Sequence, residues 1–452
     1  MTNSRDSKRI FGTNGVRGII GQDMTPDLVY KISKTFGTMR RGRIALGRDS
    51  RLSGSTLAAA AKSGLLSSGC EVIDCGILPT PALQYIIKDR LDGGVMVTAS
   101  HNPPEYNGIK IIEPDGTEMG DENTLKLEQM MYENSVPIVK WNVIGKESNS
   151  PQLLEYYVES IVKSFPKDIG NGMTVIVDPG SGPACLSTPK ILTRMGCRVL
   201  TINGVIDGAF PGRLPEPSEG GLSALADLVK SSKAVMGLAH DGDADRTVFI
   251  DEEGRFVEEN KEFAIIAQYI CERKKGLIVT PVSTSLLVEM VAKEAGCRVE
   301  YTPVGSISVA RTMRERIRNN ENVIFGGEGN GGLIYPEHQF CRDGGMTAAM
   351  MVSILAARKM PLSSLIKTLP TRCMLKEKIS GKNSTFLMGR IKRKFAGENI
   401  DLTDGLKIFR KNCWALIRAS GTEPFIRVLI DGPGLEECNS FLEEIMSAIS
   451  TC

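Results

Sequence analysis

Three carboxylates at alternating positions, Asp241, Asp243 and Asp245, form the densest chemical signal in the chain. In an extended segment or loop they fall on one side, where they repel one another unless a hard cation sits among them. All-oxygen donors suit magnesium better than zinc. An EF-hand would want glycine at the sixth position of such a loop and glutamate at the twelfth. Glu252 is in place, but Arg246 stands where the glycine belongs and Thr247–Ile250 reads as a strand. A metal loop of another kind is therefore expected, against the plain alternative of a solvated acidic turn. The second signal is Val95-Met96-Val97-Thr98-Ala99-Ser100-His101-Asn102-Pro103-Pro104, an apolar run ending in small polar residues and a proline-rigid turn. A serine at the C-terminal end of a strand is where an α/β domain places a nucleophile; the alternative is a structural serine in a strand exit. Asn107-Gly108 reads as a hairpin turn that would return Lys110 to the same loop.

Two more loops carry ligand-binding chemistry. Gly327, Gly329 and Gly332 match G-x-G-x-x-G after the strand-like Asn322–Phe325. A dinucleotide site also needs a helix to open there, and Leu333-Ile334-Tyr335-Pro336 does not start one. The next helix is expected near Asp343. A close-approach loop presenting Glu328 and Asn330 to a polyhydroxy ligand fits better. Arg418-Ala419-Ser420-Gly421-Thr422-Glu423-Pro424, with Arg427 beyond, joins two strand-like runs. A guanidinium fork, two hydroxyls and free amides around a glycine make a phosphate cradle; a polar hairpin loop is the alternative.

The elements that must position these loops show an internal echo. Gly69-Cys70-Glu71-Val72 recurs as Gly196-Cys197-Arg198-Val199 and Gly296-Cys297-Arg298-Val299. Each copy follows a helical stretch, with an apolar strand upstream at Ile44–Leu46, Val175–Val177 and Leu277–Val279. The glycine suits a left-handed helix end and the cysteine a buried strand position. Strand, helix and strand in this order imply right-handed βαβ units, hence three related α/β domains. Beyond them, Ser384–Phe395 and Leu435–Ile449 read as helices around strands at Leu406–Phe409, Cys413–Arg418 and Phe425–Ile430, a small α+β domain. Boundaries are expected near 148–151, 251–254 and 369–370.

Lys and Arg number 55 and Asp and Glu 53, so the formal net charge is +2 and no global field for nucleic acid exists. No run approaches the roughly 18 apolar residues of a membrane span. The polar opening lacks the apolar core of a secretory leader. Eleven cysteines include no C-x-x-C pair, and three histidines argue against a multi-histidine metal site. A cytoplasmic enzyme with reduced thiols is expected.

Taken together, and in this order along the chain, these motifs resemble the α-D-phosphohexomutase superfamily. Phe11-Gly12-Thr13-Asn14-Gly15-Val16-Arg17-Gly18 resembles its opening motif, and the four loops above resemble its phosphoserine, magnesium, sugar and phosphate loops. The resemblance covers nearly the whole chain. It implies three α/β domains of shared fold with mixed sheets and a C-terminal α+β domain, four domains around a central cleft. They would run 1–150 (phosphoserine loop), 151–253 (metal loop), 254–369 (sugar loop) and 370–452 (phosphate loop).

The resemblance further implies that Ser100 carries a phosphoryl group and that one Mg²⁺ is held by Asp241, Asp243, Asp245 and the phosphoserine. Arg17 and Lys110 would serve proton transfer and charge stabilisation, with His101 and Arg246 nearby. Glu328 and Asn330 would bind the sugar; Arg418, Ser420, Gly421, Thr422 and Arg427 would bind the phosphate that is not reacting. Many relatives carry serine where Asn330 stands and histidine where Gly332 stands. The opening motif, Asn330 and the closing Ser420-Gly421-Thr422-Glu423-Pro424 look more like archaeal-type phosphoglucosamine mutases. The implied activity interconverts hexosamine 6-phosphate and 1-phosphate through a phosphoserine enzyme and a hexose 1,6-bisphosphate. Phosphomannomutase or phosphoglucomutase activity, a sugar-phosphate phosphatase and a non-catalytic sugar-phosphate sensor are the alternatives. The expected partners are small sugar phosphates, with no nucleic acid and no membrane, in a monomer or homodimer.

Overall fold

The computed structural model describes residues 9–12, 14–133, 135–136, 139–380, 384–419 and 425–450. They fall into two compact units: residues up to Glu258 together with Gly331–Ser364, and Glu259–Asn330 together with residues from Leu365 onward.

The first unit holds two mixed sheets. One contains β1 (Val16–Ile19), β2 (Arg43–Arg48), β3 (Glu71–Ile77), β4 (Gly93–Val97), β5 (Tyr106–Ile112) and β6 (Glu147–Asn149), ordered β1-β5-β4-β2-β3-β6. Its β2, β3, β4 and β6 run parallel, while β5 is antiparallel to β4 and to β1. The other contains β7 (Thr174–Asp178), β8 (Arg198–Thr201), β9 (Met236–His240), β10 (Thr247–Asp251) and β11 (Phe256–Val257), ordered β11-β10-β9-β7-β8. In the second unit β12 (Leu277–Pro281) lies parallel between β13 (Arg298–Thr302) and β14 (Val323–Glu328). The strand β15 (Gly332–Ile334) belongs to the first unit, where Ile334 bridges Arg342. The C-terminal sheet is wholly antiparallel: β16 (Cys373–Ser380), β17 (Asn399–Asp401), β18 (Leu406–Arg410), β19 (Cys413–Ala419) and β20 (Phe425–Gly432), ordered β16-β20-β19-β18-β17. The fold is thus α/β, with an α+β C-terminal part.

The three Gly-Cys repeats are one structural device. Gly69, Gly196 and Gly296 have φ of +86°, +96° and +71°. Cys70, Cys197 and Cys297 donate their amides to Leu65, Leu192 and Ala292, five residues back each time. This Schellman-type closure satisfies a carbonyl that the ending helix leaves open, and only glycine adopts the required turn without strain. The chain then enters a strand parallel to the one before the helix, with Arg43↔Glu71, Thr174↔Arg198 and Leu277↔Arg298 in register. The cysteines are buried at that entry.

Two expectations change. Asn107-Gly108 is not a turn: both residues lie inside β5, and a Cβ on Gly108 would come 2.4 Å from the Val16 carbonyl and 2.8 Å from that of Thr98. Close strand approach, not chain reversal, requires that glycine. Asp251–Gly254, near an expected boundary, forms the hairpin turn from β10 to β11, with Asp251 Oδ1 accepting from the amides of Glu253 and Arg255. The strands β16 and β17 were not anticipated. Lys376, Glu377 and Lys378 give β16 a charged stretch, and its ladder to β20 over eight residue pairs, not its composition, makes it a strand. Among the described residues no single helix is long and apolar enough to cross a membrane.

Candidate active site

The antiparallel pair β9–β10, in register at His240↔Thr247, makes residues 241–246 a tight connection at the end of the second sheet. Asp241, Asp243 and Asp245 are all buried, and one oxygen of each lies within 4.8 Å of the others. Asp243 Oδ2 accepts from Lys110 Nζ at 2.8 Å and Thr80 Oγ1 at 2.6 Å. Asp245 Oδ2 accepts from Arg342 at 2.5 Å and from Lys110 at 3.3 Å. The remaining oxygens, Asp243 Oδ1 and Asp245 Oδ1, are buried without a hydrogen-bond partner. Burial and then the Asp245 and Asp243 charges push the Asp241 carboxyl well above the usual range. Burial also opposes the charge of Asp243, but Lys110, Thr80 and Arg17 outweigh it and hold that carboxyl low. Two orphaned hard oxygens beside a carboxyl whose charge its neighbours disfavour fit a divalent ion of the Mg²⁺ type.

The serine loop leaves β4 and meets this centre. Ser100 is fully buried with φ +51°, and its Oγ donates to Asp241 Oδ2 at 3.0 Å. A Cβ on Gly242 would lie 2.3 Å from the Ser100 carbonyl, so the two loops can approach only because that residue is glycine. Lys110, opposite Met96 in the β4–β5 ladder, projects from mid-strand and meets the carboxylates Asp243 and Asp245. Burial opposes its charge, yet Asp243, Asp245 and Glu118 raise its pKa overall. Arg17 extends from β1 and donates to Asn102 Oδ1 at 3.0 Å. Arg246 donates to His101 Nδ1 at 2.8 Å and to Glu216 Oε1 at 3.2 Å. Arginine only donates, so His101 Nδ1 is an acceptor and the ring is neutral with its proton on Nε2. Burial, then Arg246 and Arg17, lower the His101 pKa to about 3.

The structure thus brings together Ser100, His101, Arg17, Lys110, Arg246 and the three aspartates within the first unit. Sequence reasoning missed Thr80, Glu118 and Arg342, which pair with this cluster, and Asp49 and Arg51, which together with Thr98 of the serine motif hold that loop. The signal available for Asp49 and Arg51 was a polar Arg48-Asp49-Ser50-Arg51 at a strand's C-terminal end. Glu216 and Arg342 offered no local signal.

In the second unit Glu328 closes β14 and is buried. Its carbonyl accepts from the Asn330 amide at 2.7 Å, which folds the loop tightly. A Cβ on Gly329 would come 2.2 Å from Asn260 Oδ1, so that glycine serves close approach and not nucleotide binding. No helix opens after the loop; the next one, Gly344–Arg358, is capped by Asp343, whose carboxylate accepts from the Met346 amide. Arg418 and Arg427 face each other in register on β19 and β20, flanking the predicted phosphate loop. Arg418 Nε donates to Asp404 Oδ1 at 2.9 Å. Ser420, Gly421 and Thr422 lie outside the described residues.

Four family descriptions match the chain in order. "Phosphoglucomutase/phosphomannomutase, alpha/beta/alpha" domains I, II and III match residues 8–136, 155–254 and 258–373, and the C-terminal domain matches 377–448. A "Phosphoglucomutase/phosphomannomutase" of Thermococcus kodakarensis is 42% identical over 452 residues, covering 96% of this chain and 97% of the relative. A "Phosphoglucosamine/phosphogalactosamine mutase" of Sulfurisphaera tokodaii is 36% identical over 455 residues, covering 98% and 99%. A crystal structure of a phosphoglucomutase/phosphomannomutase family protein from Burkholderia thailandensis shares the fold, with a TM-score of 0.88 at 24% identity over 98% of this chain and 97% of that one.

Proposed function

The chain belongs to the phosphoglucomutase/phosphomannomutase family of phosphohexomutases, and on that premise we propose that it interconverts glucosamine 6-phosphate and glucosamine 1-phosphate. Ser100 is the phosphoryl carrier in this reading. The observation that supports it best is the buried Ser100 hydroxyl, 3.0 Å from Asp241 in a carboxylate cluster with two unpartnered oxygens.

The reaction begins with phosphorylated Ser100 and a hexosamine 6-phosphate. As the phosphoryl group moves to the sugar's free hydroxyl, the bond from phosphorus to Ser100 Oγ breaks. The hydroxyl proton passes to a base, giving a 1,6-bisphosphate. The bisphosphate then returns its other phosphoryl to Ser100 Oγ as the bond from that phosphorus to the sugar oxygen breaks, and the proton held by the base passes to the departing sugar oxygen, releasing the 1-phosphate. Asp241, Asp243 and Asp245 would hold Mg²⁺, which when bound neutralises charge on phosphoryl oxygens. Lys110, cationic at neutral pH, stabilises the same charge. The Arg17 guanidinium, which donates to Asn102 Oδ1, is assigned to charge stabilisation on the phosphoryl group, whereas neutral His101 with its low pKa accepts from Arg246 and orients it. Glu328 and Asn330 are assigned to the sugar hydroxyls. Arg418 and Arg427, like charges in register, are assigned to the phosphate that is not reacting, whose negative charge would offset their repulsion.

The name of the Thermococcus relative favours a second reading, glucose and mannose phosphates as substrates. Turnover of the 1- and 6-phosphates of glucosamine, glucose and mannose by the purified chain decides between them. Highest kcat/KM on glucosamine phosphates is the expected result; a preference for mannose or glucose would replace the assignment. Net phosphate release would replace the mutase with a phosphatase.

A further inference from the structure

Four backbone carbonyls of the serine loop converge on one side chain outside it. Arg51 Nη2 donates to the carbonyls of Ser100 at 2.8 Å and Asn102 at 2.5 Å. Its Nη1 donates to those of Pro103 at 2.6 Å and Tyr106 at 2.9 Å. Its Nε donates to Asp49 Oδ2 at 3.2 Å, so every nitrogen of the guanidinium is engaged. We propose that Arg51 is the positioning residue that keeps Ser100 in its left-handed conformation, with the hydroxyl on Asp241, whether or not the serine is phosphorylated. The inference rests on the phosphoserine reading above.

Ser100 needs such a device. A non-glycine residue at φ +51° sits in the left-handed region, where its Cβ crowds the backbone, so it persists only when its surroundings hold it. The residue is held on both sides. Its amide donates to Thr98 Oγ1 at 2.9 Å, and Thr98 Oγ1 donates to Asp49 Oδ2 at 2.6 Å. Asp49 in turn binds Arg51, through Nε and through the Arg51 amide at 3.0 Å. The circuit from Arg51 through Asp49 and Thr98 to Ser100 and back fixes the serine's N–H and C=O. It leaves the side chain as the part free to react. None of its links uses Oγ, so phosphorylation need not break any.

Arg51 itself cannot wander. It is buried, the Phe210 ring lies 5.4 Å from its guanidinium carbon, and a Cβ on Gly208 would come 2.3 Å from the Ser50 carbonyl. The second sheet's loop therefore packs backbone to backbone over the arginine segment. Only a planar fork serves four carbonyls in these directions; an ammonium is a point charge with three donors.

The test uses the full chain with Arg51→Lys and Thr98→Val, read by steady-state kinetics, intact mass and phosphorus NMR of the phosphorylated protein. Displacing a reacting atom by an ångström costs about 100-fold, so Arg51→Lys should lose about that much in kcat with KM within about threefold. Its phosphoserine resonance should broaden or split. Thr98→Val removes one link and should lose about tenfold in kcat in the same pattern. Unchanged kcat in Arg51→Lys, or a loss carried wholly by KM, overturns the proposal. If Arg51→Lys does not fold, Thr98→Val decides, and wild-type kcat there overturns it. A wild-type chain that turns over without phosphate ever appearing on Ser100 overturns the phosphoserine reading instead.

Discussion

Lys110 sits 2.8 Å from Asp243, 3.3 Å from Asp245 and 3.5 Å from Glu118, so the carboxylate cluster carries its own countercharge before any metal arrives. From the sequence, three carboxylates alone suggest that neutralising one would relieve repulsion. The structure reverses that expectation, because Asp243 is the principal partner of a buried ammonium. Asp243→Asn should abolish at least about 99% of Mg²⁺-dependent turnover. It should also lower stability in EDTA by about 1–3 kcal/mol, read by denaturant unfolding. The pH dependence has a definite sign. The folded Asp243 pKa is depressed, so its contribution is present above the unfolded value of about 4 and is lost as pH falls through the lower folded value. Asp243→Asn should therefore unfold with a shallower acid limb. Wild-type turnover in this variant would remove the metal role. In the second unit Arg418→Ala should lower kcat/KM at least about tenfold in both reaction directions, since a charge-assisted bond contributes about 1.5–3 kcal/mol. Arg418→Lys should recover only part of it. A loss confined to one sugar would mean that the loop reads the ring and not the phosphate.

At the scale of elements, the helix-closing glycine repeats three times, but its surroundings differ. A Cβ on Gly296 would meet nothing within 4 Å, whereas one on Gly69 would lie 3.1 Å from the Val143 carbonyl. Gly296→Ala should thus expose the conformational cost alone, about 1 kcal/mol, and Gly69→Ala should cost more. Equal losses would mean that the neighbouring carbonyl yields freely. Lys407 on β18 is buried against Trp414, at 4.1 Å from its ring, with Nζ donating to the Val282 carbonyl at 2.6 Å. Burial lowers its pKa to about 8. Below that pH the folded protein bears the cost of a buried charge. Stability should rise as pH increases from about 8 toward the unfolded value of about 10.4. Lys407→Met should flatten that rise, which unfolding curves across this range would show; an unchanged slope would assign the rise elsewhere.

For the molecule as a whole, the carboxylate cluster lies entirely in the first unit, with every partner described for it. A ligand that binds only the folded state adds about 2.7 kcal/mol of stability at a hundred times its Kd. Mg²⁺ should accordingly slow hydrogen exchange around residues 98–106 and 241–246, while the C-terminal sheet stays as it was. Equal protection in both units would place the ion elsewhere. What the sequence alone determined were features carried by neighbouring residues. The alternation of aspartates, the helix-ending Gly-Cys steps with their parallel strands and the serine at the end of β4 are all short-range patterns, readable because local backbone periodicity sets which side chains share a face. The Asn107-Gly108 turn failed because a dipeptide cannot report that β1 and β4 press on both sides of β5. The countercharges were equally hidden. Lys110 reaches Asp243 across 133 residues, Arg342 reaches Asp245 across 97, and Arg51 grips the Ser100 carbonyl across 49. Only tertiary structure decides such contacts, because burial creates the demand for each partner, and the packing of distant strand ends selects which residue meets it.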